Sequence, residues 1–173
     1  MSQMRLFCAA AGAAALLAQP AAAAAAGSFQ YTLNTHNGSE SFVDAGLCDS
    51  RPAAITLSGY NEAIHVTTTL GGLTDAQVNA LIDSNSDTVT KLTYNQTGDL
   101  TVVEADKVVY SGHFQNWFGG AVNHTATVFT GVFHFTASGS DGSAVSGQFT
   151  SHETLVNGVV TTSLDKGSLV GCP

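Results

Sequence analysis

Apolar and polar residues alternate along most of this chain. Ile55, Leu57 and Gly59 alternate with Thr56 and Ser58, and Ile64, Val66, Thr68 and Leu70 alternate with His65, Thr67 and Thr69. A period of two marks a strand that buries one face. Phe29–Asn34 reads as a first strand. Thr88–Tyr94, Asp99–Glu104 and Lys107–Phe114 follow, joined by Asn95-Gln96-Thr97-Gly98 and by Ala105-Asp106. Links this short favour neighbouring antiparallel strands. The C-terminal part repeats the pattern over longer runs, Asn123–Ala137, Ser143–Val156 and Val159–Lys166, separated by Ser138–Gly142 and by Asn157-Gly158. Asn-Gly between apolar runs is a strong hairpin signal because both positions tolerate positive φ. One segment breaks the rhythm. Thr74 and Gln77 have capping-box spacing, Leu73 and Val78 are placed as a hydrophobic staple, and Val78, Leu81 and Ile82 fall on one helical face, which predicts a short helix over 75–83. The expected fold is all-β: an antiparallel meander β-barrel of about eight to nine strands, since closure removes exposed edges. A two-sheet sandwich is the alternative.

The first 26 residues follow a different logic. Arg5 supplies a positive start, Leu6 to Ala18 a short apolar run, Gln19-Pro20 a break, and Ala21–Ala26 several Ala-x-Ala cleavage sites. This is the layout of a secretory signal peptide, and the run is shorter than the roughly 20 residues a bilayer span needs. Residues 27–173 then form a single secreted domain, expected to be extracellular. Cys48 and Cys172 are its two cysteines, and in an exported protein an even pair implies a disulfide.

Composition narrows the partners. Five Lys and Arg against 13 Asp and Glu give a formal charge of −8, with only 10% of residues charged. Nucleic acids and anionic membranes both require clustered cations, so neither is an expected partner. The low charge fraction also argues against disorder.

Candidate chemistry is sparse. The six histidines lack metal-binding spacing, and the two domain cysteines lack Cys-x-x-Cys spacing, so no metal or cofactor is expected. There is no Gly-x-Ser-x-Gly elbow and no phosphate loop with its Lys. Glu153 interrupts an apolar face between Phe149 and Leu155. A buried carboxyl there has a raised pKa and suits general acid or base work. A two- or four-residue loop at Asp141-Gly142 puts Glu153 on the face of His134; a three-residue loop slips the register and puts it beside Phe129. Trp117-Phe118-Gly119-Gly120 either lines a pocket by stacking or closes a barrel end.

The run Tyr110-Ser-Gly-His-Phe-Gln-Asn-Trp-Phe-Gly-Gly120, the Thr125–Ala137 strand, Gly139-Ser-Asp-Gly-Ser143, His152-Glu153 and Leu164-Asp-Lys166 together carry a resemblance. From Cys48 to Cys172 the layout resembles small secreted β-barrel proteins of actinobacteria that have no assigned activity, similar in shape to allene oxide cyclase and calycin-like barrels. The Thr74–Asp83 stretch departs from that all-strand pattern. The resemblance implies a barrel and brings no catalytic residue with it. Three functions follow as expectations. One is the binding of a small apolar ligand in the interior, with Trp117, Phe118, Phe149 and Glu153 at the site and an enclosed apolar cavity larger than a few waters. Another is an extracellular structural or interaction protein with a filled barrel. The last is a cyclase- or isomerase-type enzyme using Glu153 and His134.

Overall fold

The computed structural model describes residues 27–48, 51–84, 86–122, 126–156 and 159–172. The predicted leader, the Asn157-Gly158 turn and His124 lie outside them. Seven long antiparallel strands form one sheet in meander order: β1 (Phe29–Ala45), β2 (Pro52–Thr68), β3 (Val89–Val103), β4 (Val109–Val122), β5 (Ala126–Gly139), β6 (Ala144–Val156) and β7 (Val159–Val170). A single helix, α1 (Asp75–Asp83), links β2 to β3.

The all-β meander and the short helix are as expected; the count of eight to nine strands and the closed barrel are not. Two pairs of predicted strands are each one: Ile55–Gly59 with Ile64–Leu70 in β2, and Thr88–Tyr94 with Asp99–Glu104 in β3, where the predicted Asn95–Gly98 turn is strand. In β2 one extra residue is inserted against β3, where Ser58 pairs with Asp99 but Asn61 with Thr97. Gly59 takes a φ of +58° there, a conformation that costs glycine little. The bulge explains why the two alternations in the sequence are out of phase. Ile55 and Leu57 face the core before it, Val66 and Thr68 after it. β1 is interrupted in the same way around Asn37 and Gly38. Nor is the sheet closed into a barrel among the described residues. β1 and β7 are its two edges and share no ladder.

The sheet nevertheless curls. One apolar core is shared by Ile55 and Leu57 of β2, Leu100 and Val102 of β3, Tyr110 and Phe114 of β4, Phe133 and Phe135 of β5, and Val145 of β6, with Phe42 of β1 and Leu169 of β7 packed on it. Cys48, just past β1, and Cys172, just past β7, form a disulfide with their Cα atoms 5.2 Å apart. The two edges are thus pinned together at one end. Glu104 reinforces that end from inside: its Oε1 accepts the backbone N–H groups of Leu47 at 2.6 Å and Cys48 at 3.2 Å.

The other end is covered over β1–β3 by α1. The capping box forms as predicted, Gln77 N–H donating to Thr74 Oγ1 and Thr74 N–H to Gln77 Oε1. Val78 is fully buried against Leu33 and Val66, with Leu73 and Ile82 beside it. β7 has no such cover; residues 159–168 are exposed throughout. No helix among the described residues is long and apolar enough to cross a membrane.

Candidate functional site

Residues paired directly across antiparallel strands project from the same face. Lateral rows on the inner face can therefore be followed from strand to strand. One row runs Glu62, Gln96, Asn116, Phe133, Phe149, Gly167, and the next toward the helix end runs Ile64, Tyr94, Phe118, Gly131, Ser151, Asp165. The first is polar over β2–β4 and aromatic or small over β5–β7; the second is apolar or aromatic over β2–β4 and turns polar only at Ser151 and Asp165. The inner face is amphipathic across its width.

The polar half is built by β1–β4. Glu40 joins Gln96 and Asn116 around a small cavity whose floor is Phe42, Leu57, Leu100 and Phe133. Gln96 is only 2% exposed and its Oε1 has no hydrogen-bond partner; Oε1 of Glu40 is also buried without one. Such groups cost about 1–3 kcal/mol each when left unpaired. Tyr60 stands beside them because Gly98 has no side chain: a Cβ there would lie 2.6 Å from that of Tyr60. The cavity holds about 20 Å³, room for roughly one water. It is smaller than the enclosed apolar space expected from the sequence.

Electrostatics set this half apart. Burial pushes the Glu62 carboxyl above its ordinary range, the bond from Thr35 Oγ1 at 3.2 Å partly offsets this, and the neighbouring Glu40 adds to it. Tyr94 is raised strongly, first by burial and then by Glu62 and Glu40, despite its bond to Asn116. Tyr60 is raised by burial and the same two carboxyls. A carboxyl that folds with a raised pKa contributes stability that is fully present below the unfolded pKa and is lost as pH rises through the folded one. Glu62→Gln is therefore expected to gain stability over the wild type at pH 7, and the gain should vanish below pH 4. Urea denaturation of both proteins at the two pH values measures it; a difference independent of pH contradicts the assignment.

The predicted site residues divide between the faces. Phe118, Phe149 and Glu153 are all on the inner face. Phe118 stacks on Phe129 with centroids 5.6 Å apart, and Phe149 on Phe135 at 6.4 Å. Glu153 pairs with Phe129, so of the two predicted registers the slipped one is formed. Gly139 N–H bonds Ser143 O at 2.8 Å and so closes the turn around Ser140-Asp141-Gly142, the three-residue loop that this register requires. Trp117 and His134 are on the outer face. The indole of Trp117 lies along Gly119 beside Thr93, 36% exposed, as a part of β4 and not as a plug. His134 is exposed and pairs with Gln148. Glu153 and His134 thus point away from one another and do not form an acid–base pair. His65, His113 and His152 also face outward, bonded to Thr32, Asp99 and Thr130. Among the described residues no three metal-ligating side chains come together.

Glu40, Tyr60, Glu62, Tyr94, Gln96 and Asn116 escape sequence reasoning. Asn95–Gly98 has turn composition yet lies in the middle of β3, and Glu62 follows the bulge. The readable signal is Gln96 standing in phase with Leu92, Leu100 and Val102. Comparisons of the chain with protein-family models, with curated proteins and with solved structures find no match.

Proposed function

We propose that this is an exported small-molecule-binding protein, a barrel left open along the β1–β7 seam, that holds an apolar-bodied ligand against its inner face. The observation that carries this reading is the pair of buried, unpartnered acceptors on Gln96 and Glu40 above an apolar floor. Native interiors leave few such groups unsatisfied. A ligand meets them and lays its body on the half-buried Phe118–Phe129 wall. The small volume of the enclosed cavity argues for a ligand seated across the open half of the inner face, with only one end reaching Gln96. Export is supported by the leader-like residues 1–26 and by the disulfide. The likeness to small actinobacterial barrels is part of the same proposal.

A second reading has one observation in its favour. β7 is an unpaired edge with Val159, Val160, Leu164 and Val170 exposed, which suits an extracellular interaction protein that docks by strand addition. Native mass spectrometry of the protein recovered from the cells that make it separates the two. The first predicts a monomer carrying the added mass of a small organic molecule, released on unfolding. A ligand-free monomer sinks it, and a ligand-free dimer or protein complex favours the second.

A further inference from the structure

The inner face is one-sided in charge as well as in polarity. Glu40, Glu62, Glu153 and Asp165 all project from it, with Asp44 and Glu104 at the disulfide end. The cations among the described residues are elsewhere. Lys91 and Lys166 alternate with inner-face residues and so project outward, Lys107 is in the β3–β4 turn, and Arg51 precedes β2, 4.0 Å from Asp106. Both unpartnered side-chain atoms at the cavity are acceptors, Oε1 of Glu40 and Oε1 of Gln96. What they lack is a donor.

We propose that the ligand carries a cationic, hydrogen-bond-donating head group, an alkyl- or arylammonium, received by Glu40 and Gln96 with Glu62 behind them. This deepens the ligand-binding reading and rests on it. An ammonium supplies three donors and a positive charge, which matches two free acceptors and a carboxylate-rich wall. The ring of Phe133 in the cavity floor adds an aromatic face, which attracts cations. Burial first, and then Glu40 and Glu62, hold the protons on both tyrosines; the contribution of the two glutamates is a negative field, which favours a cation over an anion. A metal ion fits less well, since hard cations take six or more oxygens and no three metal-ligating side chains converge here among the described residues.

The test uses three probes with one aromatic body and different heads: 2-phenylethylamine, 2-phenylethanol and 3-phenylpropanoate, titrated calorimetrically into the purified protein at pH 7. The amine should bind about tenfold or more tighter than the alcohol, the gain expected from a charge-assisted bond, and the acid should not bind. In Glu40→Gln the amine should lose its roughly tenfold advantage over the alcohol. If Glu40→Gln does not fold, Glu62→Gln, in a half-buried position, is expected to reduce the preference in the same direction. An alcohol or acid that binds as well as the amine overturns the head-group assignment and leaves the inner-face site standing. A preference that survives both substitutions also overturns it. If none of the three binds, the ligand-binding reading itself falls and this proposal with it.

Discussion

Breaking the Cys48–Cys172 disulfide should lower the unfolding free energy by about 4–5 kcal/mol, the value expected from chain entropy for a loop of this length. The crosslink closes 124 residues, nearly the whole described domain. Its effect on the folded state is as direct. Among the described residues β1 and β7 share no ladder, so the curl that brings Phe42 and Leu169 onto one core has no hydrogen-bonded seam there to hold it. Besides the burial of Leu47 in the core, Glu104 ties the Leu47–Cys48 segment inward, and two hydrogen bonds to a carboxylate are worth about 3–6 kcal/mol at most before the cost of burying it. Urea denaturation of the wild type and of Cys48→Ala/Cys172→Ala measures the loss, with an accompanying drop of about 10–20 °C in Tm. A loss under about 1 kcal/mol would mean that the edges are held without the sulfurs.

The alternation in the sequence is legible because each strand is wet on one side. Thr, Ser and His outside and Ile, Leu, Val and Phe inside give β2, β3 and β5 their period of two. The capping box of α1 is legible for a different reason, being a local exchange between Thr74 and Gln77 that needs no tertiary partner. Long-range consequences are harder to read. The bulge at Gly59 resembles a turn between two strands, since glycine suits both, and only pairing with β3 shows that the chain runs on. The face of Glu153 depends on the parity of a loop, and the odd loop Ser140-Asp141-Gly142 sends it to Phe129 and away from His134. Trp117 is likewise decided by parity: its neighbours Asn116 and Phe118 line the inner rows, so it faces out. The polar half of the inner face is the least legible part. Glu40, Glu62, Gln96 and Asn116 occupy positions that a sheet with a purely structural interior fills with apolar residues. They read as turn or surface residues for the same reason that they suggest a ligand.

Phe133→Ala should cost about 3 kcal/mol and Phe135→Ala about 5, the two ends of the range for deleting a buried phenyl ring. The rings are two residues apart on β5 and equally buried, at 5% and 3% exposure. Phe133 stacks on Phe114 with centroids 5.8 Å apart, and Phe135 on Phe149 at 6.4 Å. They differ in what their removal exposes. The space left by Phe133 joins the cavity that Glu40, Gln96 and Asn116 line, so water can enter and bond to acceptors that lack a partner. The space left by Phe135 is surrounded by Phe133, Phe149 and the backbone of Gly147, and a void with apolar walls stays dry. Urea denaturation of the two variants compares them directly. A Phe133→Ala loss equal to or greater than that of Phe135→Ala would show that the acceptors beside it gain nothing from solvent, which removes the physical reason for placing a donor-bearing ligand there.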